Sequence, residues 1–319
     1  MARTLTVIGA TGVQGGSVVN VLLASKQWHI RAVTRNPESE AAKALVQKGV
    51  EVVKADVNDE DSLVDAFEGT TAIYSVTNFW EPIFSGALDL KAAADREEAQ
   101  GMILARAAAR TPTLEHYIWA TLPHAFNLSG IRCYHMDCKA QVDQRIREEL
   151  PDLAAKTTYL YCGLYPSTLT GVLMPFEASG TGGKHVWLVP AKREASFPTS
   201  GDMNVTPGIW VRQILANPDK TKTKYAAIIT DLLTFEEMLK QWSDVTKKPA
   251  VFVETPERAY AELWGEGIGK DISAQFVFGE MVPDWTAHVK DVFVTREELG
   301  IKPEEAQGFK HALRVVLGL

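Results

Sequence analysis

The sequence is poor in cysteine, in positive charge and in long apolar runs. Its three cysteines, Cys133, Cys138 and Cys162, are too few for a disulfide framework and are typical of a reducing compartment. Acidic residues outnumber basic ones by 40 to 33, so a net charge of −7 provides no positive field for a polyanion. No apolar run approaches the roughly 18 residues that cross a bilayer. We therefore expect no direct nucleic-acid ligand and no membrane span.

The composition is globular, with 46% hydrophobic and 23% charged residues, which excludes fibrous and disordered classes. A strand-like run begins directly after Arg3, which leaves no room for an export signal. We expect a cytoplasmic protein, with passage to the nucleus left open. At roughly 150 residues per domain, 319 residues predict about two structural units.

Short β-branched runs alternate with helix-length segments in the first half of the chain, as in residues 4–8, 30–33 and 72–76. That alternation is typical of a doubly wound parallel sheet covered by helices on both faces. After about residue 162 the pattern changes to loops, short strands and separate helices. We therefore predict an α/β fold with a main domain at 1–162 and a smaller α/β lobe at 163–319. Late strands of the second part are expected to join the main sheet.

A glycine-rich turn follows the first strand-like run. Gly9, Gly12 and Gly15 have the spacing G-x-x-G-x-x-G between a strand and a helix. In that context glycines permit a tight turn, the close approach of a pyrophosphate and the packing of helix on strand. The helix N-terminus adds unpaired N–H groups and the positive end of the helix dipole. An ordinary βα turn is the alternative, but the agreement of strand, turn and helix favours a Rossmann-type dinucleotide site.

The second strand-like run ends at Thr34-Arg35-Asn36. Arg35 lies 35 − 15 = 20 residues beyond Gly15, where the adenine ribose is expected and where NAD-binding proteins place an acid. A guanidinium instead binds a 2′-phosphate through paired, charge-assisted hydrogen bonds. We therefore predict NADP(H), with a solvated arginine as the alternative. Asp56 is a candidate either for the adenine amino group or for a helix cap.

Together with Val76-Thr77-Asn78-Phe79-Trp80-Glu81, these motifs resemble the NmrA-like family, a branch of the atypical short-chain dehydrogenases. Further similarity lies at Glu97-Glu98-Ala99-Gln100-Gly101 and at His135-Met136-Asp137-Cys138-Lys139. The resemblance implies a Rossmann domain with a small C-terminal α/β domain, and a cleft that binds NADP(H).

The resemblance also implies roles for individual residues. It assigns the diphosphate loop to Gly9, Ala10, Thr11, Gly12, Val13, Gln14 and Gly15, the 2′-phosphate to Arg35 with its neighbour Asn36, and the adenine wall to Asp56 and Val57. It assigns the ribose and nicotinamide to Thr77, Asn78, Phe79, Lys139 and Tyr165. Thr168 stands where the family has asparagine, and Ala99 where some members have lysine, so we expect neither contact in this chain.

The usual catalytic tyrosine, four residues before the lysine, is replaced by His135 ahead of Lys139. Tyr134 is offset by one residue, and a helical step of about 100° turns its phenol elsewhere. We expect His135 to supply a proton, Thr121 to hold the substrate carbonyl and Lys139 to bind the ribose. A helix-start histidine without a catalytic role is the alternative for His135.

Two other groups of residues resemble a metal site and a phosphate-binding loop. Cys133, His135 and Cys138 offer three ligands around one helix start but no fourth, so we predict no metal site. The segment 180–184 is rich in glycine and ends in lysine, but it lacks the spacing of a phosphate loop. We predict a hairpin turn there.

Two functions remain open from the sequence. The first is an oxidoreductase that uses NADPH to reduce a small aromatic or conjugated carbonyl or imine-like substrate, for which eight tryptophans offer aromatic surface. The second is a catalytically silent NADP(H) sensor that binds a protein partner such as a transcription factor. The missing tyrosine favours the second function, and the intact cofactor motifs are compatible with both. The oligomeric state is left open.

Overall fold

The computed structural model describes residues 3–319. Within them the strands, in chain order, are β1 (Thr4–Ile8), β2 (His29–Thr34), β3 (Glu51–Lys54), β4 (Ala72–Ser75), β5 (His116–Thr121), β6 (Thr157–Cys162), β7 (Phe176–Glu177), β8 (His185–Val189), β9 (Ser196–Thr199), β10 (Tyr225–Ile228), β11 (Asp231–Thr234) and β12 (Ala250–Glu254). The helices are α1 (Val13–Ser25), α2 (Glu40–Gln47), α3 (Glu60–Ala66), α4 (Trp80–Phe84), α5 (Leu90–Ala109), α6 (Ala125–Ser129), α7 (Tyr134–Glu149), α8 (Pro151–Ala154), α9 (Thr206–Ala216), α10 (Pro218–Thr221), α11 (Phe235–Thr246), α12 (Glu257–Trp264), α13 (Lys270–Met281) and α14 (Phe309–Leu317).

The main sheet has the order β10-β6-β5-β4-β1-β2-β3, and every neighbouring pair is parallel. Strands β4, β5 and β6 are buried along their whole length because helices cover both faces, which explains their continuous apolar runs. The chain reverses direction of winding between β1 and β4, where open α/β sheets bind their ligands beyond the carboxyl ends of the strands. The predicted Rossmann-type fold is therefore confirmed.

The second half of the chain returns to this sheet. Strand β10 pairs with β6, and helix α9 packs closely on α1. At that contact the Gly208 N–H donates to Ser17 Oγ at 3.0 Å, and a Cβ on Gly208 would lie 2.5 Å from the Ser17 carbonyl oxygen. Residues 206–228 thus belong to the layers of the main sheet, although they follow the predicted boundary at 162.

The smaller lobe contains two short sheets, β12-β8-β7 and β11-β9, packed with α11, α13 and α14. Its core is aromatic: Phe235 contacts Trp187, Phe197 and Phe276 with ring centroids 5.2 to 5.9 Å apart. The turn between β7 and β8 contains Gly180, Gly182 and Gly183 at positive φ. The hairpin predicted at 180–184 is confirmed.

Helix starts were the least accurate part of the sequence prediction. The residue pattern predicts helices over residues 137–150 and 87–110. In the structure α7 begins three residues earlier, at Tyr134, and α5 three residues later, at Leu90, with Asp89 as its N-cap. Each of these helices begins where a carboxylate accepts a hydrogen bond from an N–H group of the first turn. For α5 that carboxylate is Asp89, and for α7 it belongs to the smaller lobe. In the described part of the chain, no helix combines the length and apolarity that a membrane crossing requires.

Candidate cofactor and substrate site

A cavity of about 640 Å³ lies between the carboxyl ends of the main sheet and the smaller lobe. Fifteen of the residues predicted for the site line it: Gly9, Thr11, Gly12, Val13, Gln14, Gly15, Arg35, Val57, Thr77, Asn78, Phe79, Thr121, His135, Lys139 and Tyr165. These residues come from seven separate segments of the sequence. Their convergence on one cavity is the main structural support for the predicted site.

Three predicted residues do not line this cavity. Ala10 is buried in the core behind the glycine loop. The side chain of Asn36 accepts from the Glu38 N–H, and that of Asp56 accepts from the backbone and side chain of Asn58. Asp56 does not cap α3 either, because Asp59 is the N-cap. Local hydrogen bonds thus engage the Oδ1 atoms of Asn36 and Asp56, and the contacts of these two residues with the cofactor stay predictions.

The glycine loop has the close packing that a dinucleotide site needs. Gly9 has a φ of +73°, and a Cβ on Gly15 would lie 2.2 Å from the Gly9 carbonyl oxygen. Side chains at these positions would therefore push helix and strand apart. Helix α1 begins at Val13 with no side-chain cap at Gly12, so its first N–H groups face the cavity mouth without a side-chain acceptor. This arrangement fits a diphosphate.

Gln14 connects the loop to the far wall of the cavity. Its Nε2 donates to the Tyr165 hydroxyl at 2.5 Å, and its Oε1 accepts from the Tyr74 hydroxyl at 2.6 Å. Burial raises the pKa of both tyrosines, so both phenols remain protonated at neutral pH. Tyr165 is thereby fixed as a neutral hydrogen-bonding group on the cavity wall.

Arg35 lies at the mouth of the cavity beside an acid. Its Nη2 is 3.4 Å from Glu81 Oε1, and the two side chains are 58% and 52% exposed. A second guanidinium, that of Arg96 on α5, lines the same cavity. The cavity therefore offers positive charge to an anionic group from the ends of β2 and from α5.

Lys139 is held in place by a buried acid. Its Nζ donates to Glu97 Oε1 and to Thr77 Oγ1, at 2.9 Å each, and Glu97 is only 2% exposed. The second carboxylate oxygen of Glu97 accepts from Cys138 Sγ at 3.1 Å, and burial beside that carboxylate raises the pKa of the thiol. The ammonium is thus fixed at the end of β4, where a ribose hydroxyl can approach it.

His135 is paired with Asp271, an acid from the other lobe. The distance from His135 Nδ1 to Asp271 Oδ2 is 2.5 Å, and the imidazole packs on the Trp80 ring with centroids 5.1 Å apart. The imidazole lines the cavity, whereas Tyr134 packs against α4 and α5 and does not. The predicted orientation of Tyr134 away from the site agrees with this arrangement, even though α7 starts earlier than expected.

Cys133, His135 and Asp271 form a buried, hydrogen-bonded cluster. Its possible ligand atoms are those of Cys133, His135 and Asp271, because Cys138 faces Glu97 instead. Two ligands on a tetrahedral zinc with bonds of about 2.0–2.1 Å lie about 3.3 Å apart. The separation of 2.5 Å between His135 Nδ1 and Asp271 Oδ2 is instead that of a hydrogen bond.

One part of the cavity, here called the chamber, is lined mainly by apolar side chains. Thr121, at the carboxyl end of β5, lines it and is 2% exposed. The smaller lobe contributes the opposite wall, through Leu173, Ile268, Ile272, Gln275 and Trp285. This chamber suits a flat, mostly apolar molecule with one polar group.

Sequence reasoning missed Asp271, the pairing of Glu97 with Lys139, and Arg96. Glu97 belonged to a recognised motif, and its position on a long helix could have suggested a partner on α7. Asp271 gives no such signal, because it lies 136 residues from His135 and meets it only through the packing of the two lobes.

Comparison with known proteins gives a consistent result. The model of the NmrA-like family matches residues 1–293. An NmrA-like family domain-containing oxidoreductase, himF of Aspergillus japonicus, is 28% identical over 295 residues, which cover 88% of this chain and 84% of that protein.

Two solved structures share the fold over nearly the whole chain. NmrA, a negative transcriptional regulator solved in complex with NADP, has a TM-score of 0.66 at 20% identity, with 100% of this chain and 92% of that chain covered. The NADPH-dependent quinone oxidoreductase QOR2 of Escherichia coli, solved with NADPH, has a TM-score of 0.71 at 14% identity, with 98% and 99% covered.

Proposed function

The chain belongs to the NmrA-like family, and from that premise we propose that it is an NADPH-dependent oxidoreductase. Its proposed substrate is a small aromatic or conjugated carbonyl or imine-like compound. One observation carries this proposal: the cavity that the glycine loop and Lys139 line is also lined by His135 and by the apolar chamber residues of the smaller lobe. A protein that only binds the nucleotide does not require that chamber.

The cofactor proposal rests on both ends of the cleft. Arg35 and Arg96 offer guanidinium groups for a 2′-phosphate, and no acid replaces Arg35 at the end of β2. Lys139, fixed by Glu97, offers its ammonium to a ribose hydroxyl. The names of himF and QOR2 and the NADP complex of NmrA support the same class of cofactor and of activity.

The residues of the chamber have separate roles in the proposed reaction. A reduced nicotinamide held by Lys139 and the glycine loop would supply the hydride that the reduction requires. Thr121 donates a hydrogen bond to the substrate oxygen, and His135 gives that oxygen a proton from Nε2. Trp80 and Trp285 enclose the substrate, and the walls from both lobes exclude water from the reacting atoms.

A second candidate, a silent sensor of NADP(H), is favoured by the absence of the usual tyrosine and by the likeness to NmrA. Its proposed ligand is the same nucleotide, and its partner is a protein such as a transcription factor. By linkage, a partner that prefers one nucleotide state changes nucleotide affinity by the same factor. The two candidates therefore differ in turnover and not in cofactor binding.

The test is consumption of NADPH by the purified chain in the presence of quinones, aromatic aldehydes and cyclic imines. We expect turnover of at least one class, and a loss of at least about 100-fold for His135→Gln with NADPH affinity unchanged. His29→Gln, on the exposed side of β2, is the matched control. Tight NADPH binding without turnover of any class contradicts the oxidoreductase proposal and supports the sensor.

A further inference from the structure

Asp271 is a completely buried carboxylate with several hydrogen-bond donors. Its side chain is 0% exposed. Oδ1 accepts from the Tyr134 N–H at 2.6 Å, and Oδ2 accepts from the His135 N–H at 3.3 Å and faces His135 Nδ1. A buried charge is costly unless its oxygens are hydrogen-bonded, so this cluster is a built arrangement and not a chance contact.

The carboxylate reaches α7 from the other lobe. It lies in the first turn of α13, directly after the π-helical turn Gly265–Gly269. The N-cap of α7, Cys133, makes no side-chain capping bond, so Asp271 supplies the acceptor that the helix N-terminus lacks. The same side chain therefore links the smaller lobe to α7 and positions the His135 ring.

This contact determines where the ring carries its proton. An ionised carboxylate only accepts hydrogen bonds, so Nδ1 must be the protonated nitrogen. The Cys133 thiol is the other group near Nδ1, at 3.4 Å, and its pKa is raised by burial and by the nearby carboxylates. Both neighbours engage Nδ1 and not Nε2, and His135 lines the cavity.

We propose that Asp271 is the positioning residue of the reaction: it fixes the Nδ1–H tautomer of His135 and stabilises the doubly protonated ring that donates to substrate. This inference rests on the proposed reductase function. One proton moves in the step: the Nε2–H bond breaks and an O–H bond forms on the substrate oxygen, which holds the negative charge left by reduction of its carbon. The ring becomes neutral, keeps its Nδ1–H on Asp271, and regains a proton from water.

The first test uses the wild-type protein without cofactor or substrate. Long-range ¹H–¹⁵N correlation spectra of neutral His135, assigned through His135→Gln, reveal which nitrogen carries the proton. We expect the Nδ1–H tautomer. An Nε2–H tautomer overturns the proposal, and so does stoichiometric zinc in the purified protein, because a metal would replace the hydrogen bond. This readout does not depend on turnover, so it stands or fails separately from the proposed function.

The second test is Asp271→Asn, with the exposed Asp284→Asn in the same lobe as the matched control. The amide oxygen still accepts from the Tyr134 N–H, but an NH₂ group facing Nδ1 reverses the tautomer. We expect the Nε2–H form, a fall in kcat of at least about 100-fold and an NADPH dissociation constant within about twofold of wild type. Unchanged kcat with a reversed tautomer overturns the proposal. If the variant does not fold, the wild-type spectrum still decides.

Discussion

The ion pair between Arg35 and Glu81 makes the coenzyme preference measurable as a thermodynamic cycle. Arg35→Ala removes a charged hydrogen-bond donor from the 2′-phosphate, which costs about 1.5–3 kcal/mol. At 1.36 kcal/mol per tenfold change, NADPH affinity falls by about 10- to 150-fold. NADH lacks the 2′-phosphate, so its affinity changes far less.

Glu81→Gln acts in the opposite direction. Glu81 Oε1 forms an ion pair with Arg35 Nη2 at 3.4 Å, which places a negative charge near the proposed phosphate. Because both side chains are more than half exposed, the pair is worth only about 0.2–1 kcal/mol. NADPH affinity should therefore rise by about 1.4- to 5-fold, while NADH affinity stays the same.

Titration calorimetry of wild type, the two single variants and the double variant, with NADPH and NADH in turn, completes the cycle. In the Arg35→Ala background, Glu81→Gln should raise NADPH affinity much less, because no guanidinium remains to be freed from the ion pair with Glu81. Lys43→Ala, an exposed cation on α2, controls for the loss of one positive charge. Equal losses of NADPH and NADH affinity in Arg35→Ala would refute the assignment of the 2′-phosphate to this residue.

Three further changes test the fold, two of them beside the cavity. Gly15→Ala should abolish NADPH binding or folding, because its Cβ would lie 2.2 Å from the Gly9 carbonyl oxygen. Glu97→Ala should lower the free energy of unfolding by about 1.5–3 kcal/mol, because the Lys139 ammonium loses a buried, charged hydrogen-bond acceptor. Burial lowers the pKa of His116 to about 3 from 6.5, so the folded state resists its protonation; wild type should lose about 2 kcal/mol more stability than His116→Gln between pH 7 and pH 5.

Each of these changes has a matched control. Gly16→Ala places its Cβ at an ordinary 3.5 Å from the nearest atom and should leave binding intact. Glu98→Ala breaks only a partly exposed pair and should cost about 1 kcal/mol or less. His29→Gln, at an exposed histidine, should follow the wild-type pH dependence. Urea unfolding curves at each pH supply the free energies, and parallel curves for His116→Gln and wild type would contradict the buried neutral histidine.

Local sequence signals were sufficient for the cofactor half of the site. The glycine loop, Arg35 and the segment 76–81 each carry their constraint within a few residues, because strand, turn and helix follow one another directly. The parallel sheet then brings their carboxyl ends to one edge. The same logic explains why the fold class was predictable while helix starts were not.

Contacts between distant segments could not be predicted. The start of α7 depends on Asp271, and the charge on Lys139 is balanced by Glu97 through the packing of α5 on α7. Strand β10 joins the main sheet after about sixty residues of intervening structure, which no local pattern specifies. Asn36 and Asp56 lie in recognised motifs, yet their Oδ1 atoms accept local hydrogen bonds that the motifs did not predict.

The most direct test of the whole account is a crystal structure of the protein with NADP⁺. It should show the 2′-phosphate within hydrogen-bonding distance of Arg35, the diphosphate on the amides at the start of α1, and the nicotinamide ring between Lys139 and His135. A groove that stays empty at saturating coenzyme, or a nicotinamide directed away from the chamber, would contradict both the cofactor and the reaction proposed for this protein.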